Sequence, residues 1–216
     1  MALVFTGDEF ADGGDIICQA LKMRRMKASF FLTGRFYGNP AHRGLIKKLK
    51  EQGHYLGSHS DQHLLYCDWK NRDSLLVSEN EFKSDLTEAY AKMRKFGIRK
   101  KDAGYFLPPY EWYNKEIATW TAREGLQLIN FTPGTRSAAD YTYPEMGRSY
   151  TPSNVIYQSV LDFEEKNQDR LNGFILLFHV GTDRRREDKF YSSLGLLLDE
   201  LKNRGYKFLT VEELLR

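Results

Sequence analysis

Long apolar runs are missing from this chain: no stretch of about 18 apolar residues occurs, so nothing in it reads as a membrane-inserting helix. Cysteine is scarce. Cys18 and Cys67 form no CxxC pair and fall in unlike contexts, an apolar helical face and a polar loop, so they do not report the redox compartment. An excess of either charge is lacking too. With 32 basic and 29 acidic residues the net charge is +3, which gives no case for a nucleic-acid or membrane-surface partner, and the run Arg184 to Arg186 reads as a solvated loop. There is no repeat of fixed period, no low-complexity tract and no Pro/Gly/Ser linker. The opening "MALVFTGDEF" enters a strand at once, with no basic n-region or cleavage site. The expectation is a cytoplasmic protein or, if a leader has been removed, one that works outside the cytoplasm. Oligomeric state is not legible.

What is present suffices for one domain spanning residues 1–216. The 216 residues are 41% hydrophobic and 14% aromatic, ample for a packed core. Apolar β-type runs alternate with amphipathic helices throughout. "ALVFTG" (2–7), "ASFFLTG" (28–34), "HYLGSH" (54–59), "GYFL" (104–107), "LQLINF" (126–131), "GFILLFHV" (173–180) and "YKFLTV" (206–211) are the seven strand candidates. The helices between them carry apolar faces such as Ile17, Ala20 and Leu21, or Phe82, Leu86, Ala89, Tyr90 and Met93 behind the capping box Ser78 to Glu81. Gly53, Gly97, Gly125 and Gly205 stand where helices should stop. Seven βα units in a row predict an α/β fold, an irregular seven-stranded (β/α) barrel, with a doubly wound open sheet as the alternative.

"HSDQH" (59–63) sets His59 and His63 four residues apart in a chain with five histidines. One helical turn would bring both imidazoles to the same point, yet two nitrogens leave a catalytic metal site a ligand short. Solvated side chains on an ordinary turn remain the other reading. In barrels of this kind chemistry gathers at the carboxyl ends of the strands. Asp8 and Glu9 follow the first strand, His59 and His63 the third, the turn "PPY" (108–110) the fourth, and His179 ends the sixth. Singly, the acidic pair could be a solvated loop and His179 a satisfied buried residue.

Taken in order, "TGDE", "HSDQH", "LPPY" and "LFH" resemble the motifs of the polysaccharide deacetylases, the NodB-type carbohydrate esterases of family 4, across essentially the whole chain. That resemblance implies a NodB-like barrel and a metal-dependent hydrolase that removes acetyl groups from N-acetylated, or O-acetylated, carbohydrate. His59, His63 and Glu9 would hold a divalent metal, zinc first, with cobalt, nickel or manganese as alternatives. Asp8 would be the base that takes a proton from water, the Tyr110 N–H would face the developing oxyanion, and His179 would protonate the leaving group. "HSDQH" is not the H-E-x-x-H of helical metalloproteases, because Ser60 holds the position of the required glutamate.

The chain also departs from the family pattern. Glu9 replaces the usual metal-binding aspartate, Gly7 the usual Phe, and Leu107 the arginine that tethers the base in relatives. The D-x-x-D-W motif is missing, and "FTPGTRSAADYTY" (131–143) stands in its place. Replacement tethers are expected from that loop: Arg136 for Asp8, Asp140 for His179. Tyr66, Trp69, Trp112, Tyr113, Tyr141, Tyr143 and Tyr150 fall in loops on the catalytic side, and among them Trp112, Tyr113 and Tyr141 are the candidates for stacking on sugar faces. A carbohydrate-binding protein on the same fold, catalytically impaired, is the competing reading.

Overall fold

The computed structural model describes residues 1–216. Six parallel strands form a single sheet: β1 (Ala2–Gly7), β2 (Ser29–Leu32), β3 (Tyr55–Ser58), β4 (Tyr105–Phe106), β5 (Gln127–Leu128) and β6 (Ile175–His179), in the order β5-β4-β3-β2-β1-β6. That is the sequential order of a barrel opened between β5 and β6. Beyond β5 the chain swings toward β6, where the Thr132 N–H donates to the Ile175 carbonyl at 3.0 Å and the Thr132 hydroxyl accepts from the Ile175 N–H at 3.0 Å.

Period-two alternation divides the strands between two cores. Ala2 and Val4 point to the barrel interior, with Phe31, Tyr55, Leu107, Ile129, Ile175, Leu177 and Val211. Leu3 and Phe5 point outward with Phe30, Leu32, Phe106 and Phe178, beneath the helices. Those helices are α1 (Gly14–Arg24), α2 (Gly34–Gly38), α3 (Arg43–Glu51), α4 (Glu79–Arg94), α5 (Lys115–Arg123), α6 (Ser153–Lys166), α7 (Leu194–Asn203) and the short α8 (Val211–Leu214). α1 and α3 to α7 all bury residues in the outer core. Coverage of one face by helices, with strands in sequential order, excludes the doubly wound alternative. The Ser78–Glu81 capping box opens α4 as its sequence predicts.

The expected seventh strand, 206–211, is reduced to one bridge, Ala2 to Leu209. Ala2 pairs with Ile175 on one flank, and β2 occupies the other flank of β1 from Val4 onward, so a single position remains for Leu209. Its N–H donates to the Met1 carbonyl at 3.0 Å, and Thr210 then caps α8.

Register determines what meets at the rim. Gly7 lies opposite Leu32, Leu32 opposite Ser58, Ser58 opposite Phe106, and Thr6 opposite His179. The residues that follow these positions, Asp8, Thr33, His59 and Leu107, therefore emerge at one level, beside His179.

Candidate active site

The turn holding His59 to His63 is not helical. Ser60 and His63 both adopt left-handed backbone, with φ of 71° and 55°. Neighbours hold the turn in place. Asp85 of α4 accepts from the N–H groups of Asp61 and Gln62 at 2.7 and 2.9 Å, Lys92 pairs with the buried Asp61 carboxylate at 2.6 Å, and the Gly34 N–H donates to the Ser60 carbonyl at 2.9 Å. Gly34 is required by this contact, because a Cβ there would sit 1.7 Å from the Asp61 carboxylate. The two histidines meet nonetheless: their Nε2 atoms are 3.2 Å apart. His59 Nδ1 lies 2.7 Å from the Leu107 carbonyl and so carries the proton, leaving Nε2 bare. Burial pushes His59 well below the ordinary histidine range, and burial likewise takes His63 down to about 4. Both are neutral imidazoles near pH 7.

Asp8 is held by two groups from the start of α2, which follows the neighbouring strand. The Thr33 hydroxyl donates to one carboxylate oxygen at 2.8 Å, and Arg35 grips both oxygens, Nε at 3.1 Å and Nη2 at closer range. A two-pronged guanidinium fixes the carboxylate's plane as well as its position. The expectation for Arg136 is thus corrected. Its guanidinium donates to the Thr151 hydroxyl at 2.7 Å, and it is Arg35, at the start of α2, that stands where the family's arginine is missing. Leu107 itself fills the barrel interior, and only its carbonyl serves the rim.

At the end of the neighbouring β6, Asp140 reaches His179 twice, accepting from its backbone N–H at 2.9 Å and contacting Nδ1 at 2.6 Å. Burial would lower His179, but the Asp140 carboxylate outweighs it and the imidazole titrates above its usual value. Nε2 is left facing the cleft side as the proton donor. The missing D-x-x-D-W motif is therefore replaced, for its histidine tether, from the loop after β5.

The turn after β4 lines the same cleft, and in it Tyr110 and Glu111 are again left-handed, at φ 59° and 53°. Four of the chain's six non-glycine residues with positive φ are in this rim, and such strain persists only where packing over-determines it. The Glu111 and Trp112 N–H groups close the turn on Pro108 and Pro109, leaving the Tyr110 N–H outside it. Glu111, which the sequence reading passes over, places Oε1 3.9 Å from His59 Nε2. Its carboxylate makes no hydrogen bond, and burial raises it to about 7.

A cleft of about 670 Å³ joins Asp8, Glu9, His59, His63, Tyr110, Glu111 and His179. Glu9 is exposed at its edge without a hydrogen bond, and no three metal-competent side chains are gathered around one point. The His59, His63 and Glu9 set is thus not brought together as the sequence suggests. The donors that do meet suit zinc: tetrahedral ligands about 2.1 Å from an ion stand about 3.4 Å apart, close to the spacing of the two Nε2 atoms. Of the stacking candidates, Tyr141 lines the cleft, 5.0 Å from the His179 ring, whereas Trp112 and Tyr113 do not. Trp112 packs beneath Arg72 at 4.1 Å and donates to the Asp68 carbonyl; Tyr113 lies under the same guanidinium. Trp69, 56% exposed and edge-on to Tyr110, forms the opposite wall.

Known proteins share the sequence pattern and the fold. Residues 8–129 match the family described as Polysaccharide deacetylase. A peptidoglycan-N-acetylglucosamine deacetylase of Bacillus cereus is 26% identical over 96% of this chain and 86% of its own length. A peptidoglycan-N-acetylglucosamine deacetylase of Listeria monocytogenes is 29% identical over 92% of the chain, which spans only 35% of that longer protein. Among solved structures, a family 4 pseudoenzyme from Bacillus anthracis superposes with a TM-score of 0.74 at 19% identity, covering all of this chain and 64% of its own. Bacillus subtilis PdaA, a family 4 carbohydrate esterase, gives 0.73 at 21% identity over 99% of this chain and 79% of that one. With a family match over more than half of its length and a fold shared with family 4 structures, the chain belongs to the polysaccharide deacetylase family.

Proposed function

We propose that this protein is a metal-dependent deacetylase of N-acetylated glycans, with peptidoglycan-type sugars as the leading substrates. The observation that carries the reading is the pair of tethered proton-handling groups: Asp8 in the grip of Arg35 and Thr33, and His179 in the grip of Asp140, on one cleft. A site drifting toward binding alone has no need to hold both. Two peptidoglycan deacetylases among the relatives support the substrate class.

A divalent metal held by His59, His63 and one carboxylate would lower the pKa of water and polarise the acetyl carbonyl. The chain's own groups do the rest. Asp8, its oxygens oriented by Arg35, takes the proton as water oxygen bonds to the carbonyl carbon. The Tyr110 N–H offers a donor to the carbonyl oxygen. His179 gives its proton to the amine nitrogen as the C–N bond breaks, releasing acetate and the free amino sugar. Trp69 and Tyr141 bracket the cleft with rings on which sugar faces can stack.

The test is acetate release from N-acetylglucosamine oligomers and from peptidoglycan, with chelator and with added zinc or cobalt. Metal-stimulated release is expected. Binding of these glycans without release under any metal would instead favour the impaired binding protein, a reading to which the Bacillus anthracis pseudoenzyme lends some weight.

A further inference from the structure

The usual family position for the metal-binding carboxylate, Glu9, is exposed and joins no cluster, whereas a different carboxylate already faces the histidines. Glu111 Oε1 is 3.9 Å from His59 Nε2, which is itself 3.2 Å from His63 Nε2. The buried carboxylates elsewhere in this chain all have donors. Asp61 has Lys92, Asp85 has two backbone N–H groups, Glu164 has Arg170, Arg204 and Tyr206, and Asp140 has His179. The Glu111 side chain is only 16% exposed and has none. A carboxylate shielded from water and without a donor either keeps its proton or takes a cation as its counter-ion.

The backbone shows how Glu111 arrives there. Two consecutive left-handed residues, Tyr110 and Glu111, turn the chain after Pro109, and the Glu111 carbonyl is anchored by the Asn130 side-chain amide at 2.9 Å. Each such conformation costs a non-glycine residue on the order of 1 kcal/mol. The turn holds it and thereby delivers a carboxylate toward His59. The spacings of 3.2 and 3.9 Å bracket the roughly 3.4 Å that separates tetrahedral zinc ligands, so Glu111 stands within about 0.5 Å of a co-ligand's distance from His59. Asp8 is not available for this, since Arg35 and Thr33 engage both its oxygens.

We infer that Glu111, not Glu9, is the carboxylate ligand of the metal, which moves the third ligand from the loop after β1 to the loop after β4. The inference rests on the metal-dependent reading above. Its test is zinc affinity of the full chain, stripped with chelator and titrated against a chromophoric zinc indicator, for the parent, Glu111→Gln, Glu9→Gln and His59→Ala. Glu111→Gln is expected to weaken binding at least about 10-fold, the lower end for disturbing a metal site, and Glu9→Gln to change it less than about 2-fold. Melting temperature without metal guards against misfolding: Glu111→Gln, which removes a carboxyl that has no donor, is expected to melt no lower than the parent and to gain less on adding zinc. Weakening by Glu9→Gln with Glu111→Gln unaffected overturns the inference and leaves the metal reading standing. Failure of both parent and His59→Ala to bind zinc overturns the metal reading itself, and the inference with it.

Discussion

The two flanks of the cleft are built on different principles. On the β1, β2 and β6 side every functional group is tied: Asp8 to Arg35 and Thr33, His179 to Asp140. On the β3 and β4 side the groups are left with free valences. His59 and His63 present Nε2 atoms to each other, and Glu111 presents a carboxylate with no donor, all on left-handed turns or next to them. Groups that move protons must be oriented beforehand, so tethers stabilise them. Groups that bind a cation must keep the ligating lone pair open, so the one tether on this flank, from His59 Nδ1 to the Leu107 carbonyl, leaves Nε2 free. The contrast matches the division of labour proposed above, proton handling on one flank and metal binding on the other.

Removing the open flank should have the largest effect. His59→Ala with His63→Ala is expected to abolish both zinc binding and acetate release; unchanged metal content in the purified double variant would erase the distinction between the flanks. Next, Asp8→Asn is expected to keep metal but lose about 100- to 10,000-fold in turnover, the usual worth of a general base. Loss of metal in that variant would place Asp8 on the wrong flank.

His179→Ala should impair amide substrates more than activated aryl esters, whose leaving groups need little protonation, so equal losses would argue against its role as the acid. The pH profile sharpens the same point. An acid must be protonated to act, and Asp140 holds the His179 pKa above its ordinary value, so activity should persist past the usual histidine range and fall as pH rises through the elevated pKa. In Asp140→Asn that alkaline limb should move to lower pH, measurable as log kcat/KM against pH; an unmoved limb assigns it to another group. The smallest effects concern the tethers of the base. Arg35→Ala is expected to cost roughly 10- to 100-fold, while Arg136→Ala, remote from the base, should leave turnover unchanged.

The sequence showed the barrel and most of the rim because both depend on local pattern. Apolar runs locate the six strands, the capping box locates α4, and motif order locates His59, His63 and His179. The single-bridge ending at Leu209 was hidden, because "YKFLTV" has a strand's composition and only the competition from β2 keeps it from pairing further. Arg35 was missed for a related reason. Its link to Asp8 comes from β1 and β2 being neighbours with Gly7 level with Leu32, a relation between strands rather than along the chain. The signal available was "LTGR" directly after a strand, which puts an arginine one turn past the rim. Asp140 was within reach because the loop that lacks the family motif had few carboxylates to offer. Glu111 gave no signal beyond lying next to "PPY", since its importance comes from what its carboxylate lacks.

The exchange of an arginine at position 107 for one at position 35 has a consequence for anyone who would repair this sequence toward its family. Leu107 is a fully enclosed part of the barrel interior, among Val4, Phe31, Ile129 and Leu177. Restoring arginine there would push a guanidinium into hydrocarbon, toward a carboxylate whose two oxygens are already engaged, and an unpaired buried charge costs several kcal/mol. The familial residue has become a lesion in this background. Placing it there would be tolerable only alongside Arg35→Leu and a reshaped interior, so the two ways of holding the base exclude each other in this chain and no single substitution converts one into the other.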